Sequence, residues 1–61
     1  MDKYDYTIEV ARMKSGMTQK QFAEYFDLTI RQIQSWEQGW RKIPNYLRKL
    51  MIYKLDKEGL I

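Results

Sequence analysis

The segment 18–39 constrains the fold most, because it carries two complete helix start signals with little room between them. Both follow the pattern Thr-x-x-Gln, at 18–21 and at 29–32. In such a capping box the Thr hydroxyl accepts a hydrogen bond from the backbone N–H three residues on, and the Gln side chain bonds back to the Thr backbone. The first helix must therefore end near Phe26, and Gly39 can end the second in the left-handed conformation. The sequence predicts two short helices joined by a tight turn.

The second of these helices has two chemically different faces. At 3.6 residues per turn, Ile33, Trp36 and Glu37 share one face. The opposite face carries hydrogen-bonding groups and one guanidinium, from Arg31, Gln34, Ser35 and Gln38. Arg and Gln are the residue types that contact guanine and adenine edges in the major groove. A polar face can equally be plain solvated surface, but the double-capped turn before it favours a helix that reads DNA.

The remaining helices follow from similar local signals. Helix 1 can begin at Asp5 or Thr7 and runs to about Lys14, and Pro44 opens a helix that spans about 45–58. A chain of 61 residues forms one domain at most. We therefore expect a single all-α domain over 1–61, with residues 1–6 as a loose N-terminal arm.

Several of these residues resemble a known family. Arg12, then MTQKQFA at 17–23, IRQIQSWEQG at 30–39 and Pro44, are similar to the helix-turn-helix domain of phage repressor and Cro-type regulators, the Xre-like family. The resemblance covers roughly residues 7–55. It implies a four-helix repressor-like fold in which helices 2 and 3 form the helix-turn-helix. It also implies a regulator of transcription that binds double-stranded DNA, with the recognition helix 29–38 in the major groove. A cytoplasmic location is expected separately, because the sequence shows neither a membrane span nor a signal peptide.

The resemblance also assigns roles to individual residues. The positions that match the family's base-reading residues are Ile30, Arg31, Gln34 and Ser35. Ile30 suits a thymine methyl group, and Arg31 suits the O6 and N7 atoms of guanine. The expected phosphate contacts come from Gln19, Gln38, Arg41 and Lys42. Trp40 either packs on its own domain or contacts a DNA sugar or a partner subunit.

Arg12 and Glu37 are expected to form an internal ion pair. Both fall on the inward stripes of their helices, and a buried charge is costly unless it is paired. The Xre-like pattern pairs these two positions, which implies a salt bridge between helix 1 and the end of helix 3.

Composition excludes several classes of protein. The chain has no Cys and no His, so disulfides, zinc sites and His-based catalysis are not expected, and we expect neither an enzyme nor a metal, cofactor or small-molecule ligand. No apolar run is long enough to span a membrane, and the N-terminus lacks the pattern of a signal peptide. Residues 1–30 carry four basic and five acidic side chains, whereas residues 31–61 carry seven basic and three acidic ones. The basic half begins at the reading helix, as expected of a nucleic-acid surface.

Helix 4 carries more apolar surface than one core needs. Tyr46, Leu50 and Tyr53 form one stripe, and a second stripe consists of Leu47, Met51 and Leu55. One recognition helix reads few base pairs, so we expect a homodimer on a palindromic site. The sequence predicts its contact at helix 4, through Tyr53 or Ile52, or at Leu60 and Ile61.

Two alternatives stay open at this point. The chain could be the antitoxin of a toxin–antitoxin pair, which binds DNA and also a protein; a toxin-binding tail would normally extend beyond the domain, and only 55–61 is available for it. It could also be a protein-interaction module that keeps the fold without binding DNA. The basic second half and the polar face of helix 3 argue against the second alternative, and a salt-dependent gel shift on non-specific DNA would test it.

Overall fold

The computed structural model describes residues 2–61 and consists of helices alone over that range. Four α-helices follow one another: α1 (Ile8–Ser15), α2 (Gln19–Tyr25), α3 (Ile30–Gln38) and α4 (Asn45–Lys57). A single 3-10 turn, Lys3–Asp5, precedes them. The predicted all-α fold with four helices is confirmed. No helix among residues 2–61 is long and apolar enough to cross a bilayer.

Threonine hydroxyls begin the first three helices. Thr7 Oγ1 accepts from the backbone N–H of Val10, and this settles the start of α1 in favour of Thr7 over Asp5. At the start of α2, Thr18 Oγ1 accepts from the Gln21 N–H at 3.1 Å, and the Gln21 side chain accepts from the Thr18 N–H at 2.9 Å. The box at 29–32 repeats both bonds at the start of α3, with the same two lengths. Both capping boxes are thus complete, and each satisfies backbone donors that would otherwise lack a partner.

The turn between α2 and α3 depends on one residue in the left-handed region. Asp27 has φ 57°, and among residues 2–61 it is the only residue other than glycine with a positive φ. The next N–H, from Leu28, donates to the carbonyl of Ala23 at 2.8 Å, which closes the end of α2 in a Schellman-type bond. Asp tolerates this conformation better than most residues, because its short polar side chain can bond locally.

Asp27→Val tests this turn. We expect the substitution to lower the free energy of unfolding by about 1 kcal/mol, because a β-branched side chain is strained at positive φ. Asp27→Asn is the matched control and should stay close to the parent. Urea denaturation of the three proteins measures the difference, and equal midpoints for Val and Asn would show that the turn relaxes at no cost.

The core lies where α1, α2, α3 and α4 converge. Its fully buried residues are Ile8, Ala11, Phe22, Ala23, Ile33, Met51, Ile52 and Leu55. Small alanines on α1 and α2 let the backbones approach closely. Phe22 and Phe26 add an edge-to-face pair with ring centroids 4.9 Å apart. Helix α3 packs on α2 and α1, whereas α4 packs on α1 and the N-terminal turn.

The N-terminal segment is not the loose arm that the sequence predicted. Arg48 Nη1 donates to the carbonyl oxygens of Tyr4 and Tyr6, the second at 2.7 Å, and Lys3 Nζ lies 2.6 Å from Asp56 Oδ1. These charge-assisted bonds hold the 3-10 turn against α4. The prediction was wrong because both contacts join residues more than 40 positions apart. Met1, the first residue of the predicted arm, lies outside the described residues.

The rotation of α4 also corrects one prediction. Ile52 is fully buried, so it cannot provide a contact between subunits. The stripe of Tyr46, Leu50 and Tyr53 stays exposed, because the opposite side of α4 fills the core. Leu60 and Ile61 are half-buried and pack against the core cluster. Of the surfaces considered for a dimer contact, Tyr53 and the half-exposed 60–61 remain.

Candidate nucleic-acid interface

Helix α3 is fixed by its apolar side and presents its polar side outward. Ile33 is fully buried and Trp36 packs against the core, so the helix cannot rotate freely. Its first turn then exposes Arg31 and leaves 42% of Ile30 exposed. All four residues predicted to read bases keep some exposed surface, since Gln34 and Ser35 are half-buried.

A shallow groove of about 450 Å³ runs beside α3. Its lining consists of Thr29, Arg31, Gln32, Ser35, Trp36, Trp40 and Arg41. Two guanidiniums, hydroxyl groups and an exposed indole therefore border one depression. Groups of this kind suit an anion beside a flat or apolar surface, as in a phosphate with its sugar.

The loop after α3 places cationic side chains at the edge of this groove. Gly39, at φ 82°, ends the helix, and the N–H groups of Trp40 and Arg41 both donate to the carbonyl of Ser35, at 2.9 and 3.2 Å. Arg41 and Lys42 are exposed, and neither forms an ion pair with any of residues 2–61. Their charges are therefore free to meet an anion from outside.

Trp40 does not pack on its own domain. Its side chain is 73% exposed, which is the largest exposure among the large apolar residues. Of the two roles that the sequence left open, the structure removes the internal one. A Trp that follows glycine and precedes two basic residues has no helical stripe to join, and this local pattern was the available signal for its exposure.

Arg12 on α1 and Glu37 on α3 lie side by side. Arg12 Nε donates to Glu37 Oε2 at 2.7 Å, and Nη2 donates to Oε1 at 3.1 Å, in a two-pronged pair. Arg12 Nη1 also donates to the carbonyl of Met17 at 3.0 Å. The Glu37 side chain is only 2% exposed and that of Arg12 is 16% exposed. The hydrogen bond to the Glu37 carboxylate raises the pKa of Arg12, which therefore stays charged under all ordinary conditions.

A hydrogen-bond chain leads from this pair to the outer face. Gln19 Nε2 donates to Glu37 Oε1 at 3.0 Å, and Gln34 Nε2 lies 3.5 Å from Gln19 Oε1. Gln19 thus joins α2 to α3 and uses part of its amide inside the protein, and one N–H of that amide has no partner among residues 2–61. The spacing of residues in the sequence gives no sign of this link, because it depends on how closely α2 and α3 cross.

The charges around α3 favour an anionic partner. Glu37 is the one carboxylate on α3, and Arg12 neutralises it in the interior. The cations of α3 and its loop are Arg31, Arg41 and Lys42, and all three are exposed. Gln38 is exposed at the end of the helix and adds a neutral donor. The outer face of α3 and the loop after it therefore carry positive charge and hydrogen-bond donors.

Comparison with known proteins agrees with this geometry. A family model described as helix-turn-helix matches residues 8–48, which is more than half of the chain. No curated protein and no solved structure matches the sequence. The matched range includes α1, α2, α3, the loop with Arg41 and Lys42, and the start of α4. The chain therefore belongs to the Xre-type helix-turn-helix family, that of the Cro and C1 regulators, and is a DNA-binding regulator.

Proposed function

We propose that the protein regulates transcription by binding a specific double-stranded DNA sequence, with α3 in the major groove. The observation that supports this most is the outer face of α3, which has no exposed carboxylate and leads into a loop with two free cations. A duplex presents phosphates on both sides of a groove about as wide as one helix, so a cationic loop beside a polar helix suits it.

Base reading is assigned to the first half of α3. Arg31 donates two parallel hydrogen bonds to guanine, and Ile30 contacts a thymine methyl group. Gln34 and Ser35 lie one turn further along and reach the neighbouring base pairs. The exposure of Ile30 supports its role, because an apolar side chain that is 42% exposed at a helix start contributes little to the core.

Phosphate binding is assigned to residues that flank the reading face. Arg41 and Lys42 neutralise the backbone beside the C-terminal end of α3, and Gln38 adds a donor. Gln19 offers its remaining N–H at the start of α2, where the helix dipole also favours an anion. These contacts set register and affinity, whereas the α3 side chains set the sequence preference.

Selection from random duplex DNA tests this function. We expect enrichment of one motif, and binding of that motif that weakens steeply with added salt, since each phosphate contact releases counterions. Recovery of duplexes without a common motif would show that the chain binds DNA only through non-specific electrostatic contacts. The absence of any salt-dependent shift would contradict DNA binding by this chain.

We further propose that two copies bind a palindromic site. One α3 reads too few base pairs for useful discrimination, so two half-sites about 34–36 Å apart, one turn of DNA, are expected. Leu60 and Ile61 provide the contact between copies, since they are half-exposed and apolar.

Sedimentation on the selected duplex checks the stoichiometry. We expect two proteins per site at saturation, and Ile61→Ser should make their binding less cooperative without weakening binding to a single half-site. Met13→Ser is the matched control, since Met13 is 64% exposed on α1. Complexes of one protein per duplex at saturation would contradict the dimer.

A further inference from the structure

The outer face of α4 remains without a partner in the domain. Tyr46, Leu50 and Tyr53 are 70%, 59% and 49% exposed, and their spacing of four and three residues makes one continuous stripe. The core occupies the opposite side of the same helix through Met51 and Leu55. A small monomer rarely exposes adjacent large apolar side chains unless they contact another molecule.

Two lysines lie along this stripe, and neither is paired with a carboxylate of residues 2–61. Lys49 and Lys57 continue the same spacing, and both are exposed. Lys57 Nζ lies 5.6 Å from the centre of the Tyr53 ring, so the cation and the apolar surface are contiguous. We call these five residues the α4 outer face: Tyr46, Lys49, Leu50, Tyr53 and Lys57.

The acidic groups nearest in sequence are already engaged. Asp56 lies 2.6 Å from Lys3 Nζ, and Glu58 lies 3.4 Å from Lys54 Nζ. Neither Lys49 nor Lys57 forms an ion pair with another of residues 2–61. The α4 outer face is therefore both apolar and uncompensated in charge.

The positive charge and the apolar stripe of this face together indicate which kind of molecule could bind it: a second copy of the chain, DNA or another protein. A two-fold contact with a second copy would place the same patch against itself, so cations would meet cations with no carboxylate to offset them. DNA would use the lysines but leave three apolar side chains against phosphate and sugar, where polar groups serve better. A protein surface with an apolar stripe between Asp or Glu residues satisfies both properties together.

We propose that the α4 outer face docks an acidic amphipathic helix of another protein. The apolar stripe of that helix packs along Tyr46, Leu50 and Tyr53, and its flanking carboxylates pair with Lys49 and Lys57. No residue of α4 lines the groove beside α3, so we expect the docked helix and a DNA duplex to be held at the same time. The surface would link the DNA-bound regulator to a second protein.

A synthetic helical peptide with a leucine stripe between glutamates is the probe. It is titrated by fluorescence anisotropy into the full chain, both free and saturated with non-specific duplex DNA. A peptide with lysines in place of the glutamates is the matched control. We expect the acidic peptide alone to bind, and to bind equally well with and without DNA.

Substitutions then locate the site. Leu50→Ser and the double variant K49E/K57E should each weaken peptide binding by about tenfold or more, because they remove the centre of the stripe or reverse its charges. Met13→Ser is the control, since Met13 is 64% exposed on α1 and lies outside the face. All variants should keep the parent's helical circular dichroism.

Four results would overturn the proposal. Peptide binding that survives Leu50→Ser and K49E/K57E would place the site elsewhere. Displacement of the peptide on addition of DNA would show that the acidic peptide occupies the DNA-binding surface in place of DNA. Sedimentation that shows a dimer of the free chain disrupted by Leu50→Ser would assign the face to a second copy. Binding to anionic phosphatidylglycerol vesicles without binding to the peptide would assign it to a lipid surface. The titration of the free chain needs no DNA. A failure of peptide binding can therefore be told apart from a failure of DNA binding, on which the proposed function rests.

Discussion

Glu37→Ala should bring the domain close to unfolding at room temperature. The substitution leaves the Arg12 guanidinium, 16% exposed, without the carboxylate that receives two of its hydrogen bonds. Removing one partner of a buried ion pair costs about 3–5 kcal/mol, because an uncompensated charge stays inside. Gln19 is deprived of an acceptor as well. A domain of this size has a stability of roughly 5 kcal/mol, so little remains.

Thermal melts followed by circular dichroism measure the effect, and Glu24→Ala is the matched control. Glu24 is exposed on α2 and forms no ion pair with any of residues 2–61. Its removal should change the melting temperature by a degree or two at most. If Glu37→Ala melted as close to the parent as Glu24→Ala, the buried pair would not stabilise the fold.

The pair also predicts how stability responds to alkali. Folding raises the pKa of Arg12 through its bond to Glu37. A group whose pKa is raised by folding stabilises the protein fully below its unfolded pKa, and that contribution disappears as pH rises through the folded pKa. Since the unfolded pKa of Arg lies far above neutral, the contribution of Arg12 is constant over the ordinary range of pH.

The parts of the fold that the sequence predicted well are those set by local chemistry. The capping boxes at 18–21 and 29–32 each close within four residues, and Gly39 ends α3 through its own backbone freedom. Such signals act over a single turn of helix and do not depend on the rest of the chain. The ion pair between Arg12 and Glu37 could not be predicted from local signals alone. Helical periodicity placed both residues on inward faces, but only the family resemblance identified them as partners.

The features of the fold that could not be predicted from the sequence depend on how the helices pack against one another. Helix α4 is apolar on two sides, and nothing in its periodicity decides which side enters the core; packing against α1 and the N-terminal turn buries Ile52 and leaves Tyr53 outside. Arg48 likewise reaches the carbonyl of Tyr6, 42 residues earlier. The link between Gln19 and Gln34 arises from the crossing of α2 over α3. Contacts of this kind follow from tertiary geometry, which the spacing of residues does not contain.

Arg31→Ala should relax the sequence preference of the protein at one position in each half-site. A bidentate contact to guanine is worth about 1–3 kcal/mol of discrimination against the wrong base, or roughly fivefold to 150-fold. Non-specific affinity should fall only slightly. The fold should not change, because Arg31 is exposed and its side chain forms no ion pair with the rest of residues 2–61.

Lys42→Ala is the matched comparison, since Lys42 is equally cationic and exposed but lies in the loop after α3. The substitution removes a cation that binds phosphate, so binding should weaken by the same factor on every sequence. The slope of log affinity against log salt should fall by about 0.9 for each phosphate that is no longer neutralised, or twice that in a dimer. Affinities of both variants for the selected site and for a scrambled duplex, over a series of salt concentrations, separate the two effects. If Arg31→Ala kept the parent's ratio of specific to non-specific affinity and only reduced the salt slope, Arg31 would hold phosphate, and base reading would fall to Ile30, Gln34 and Ser35.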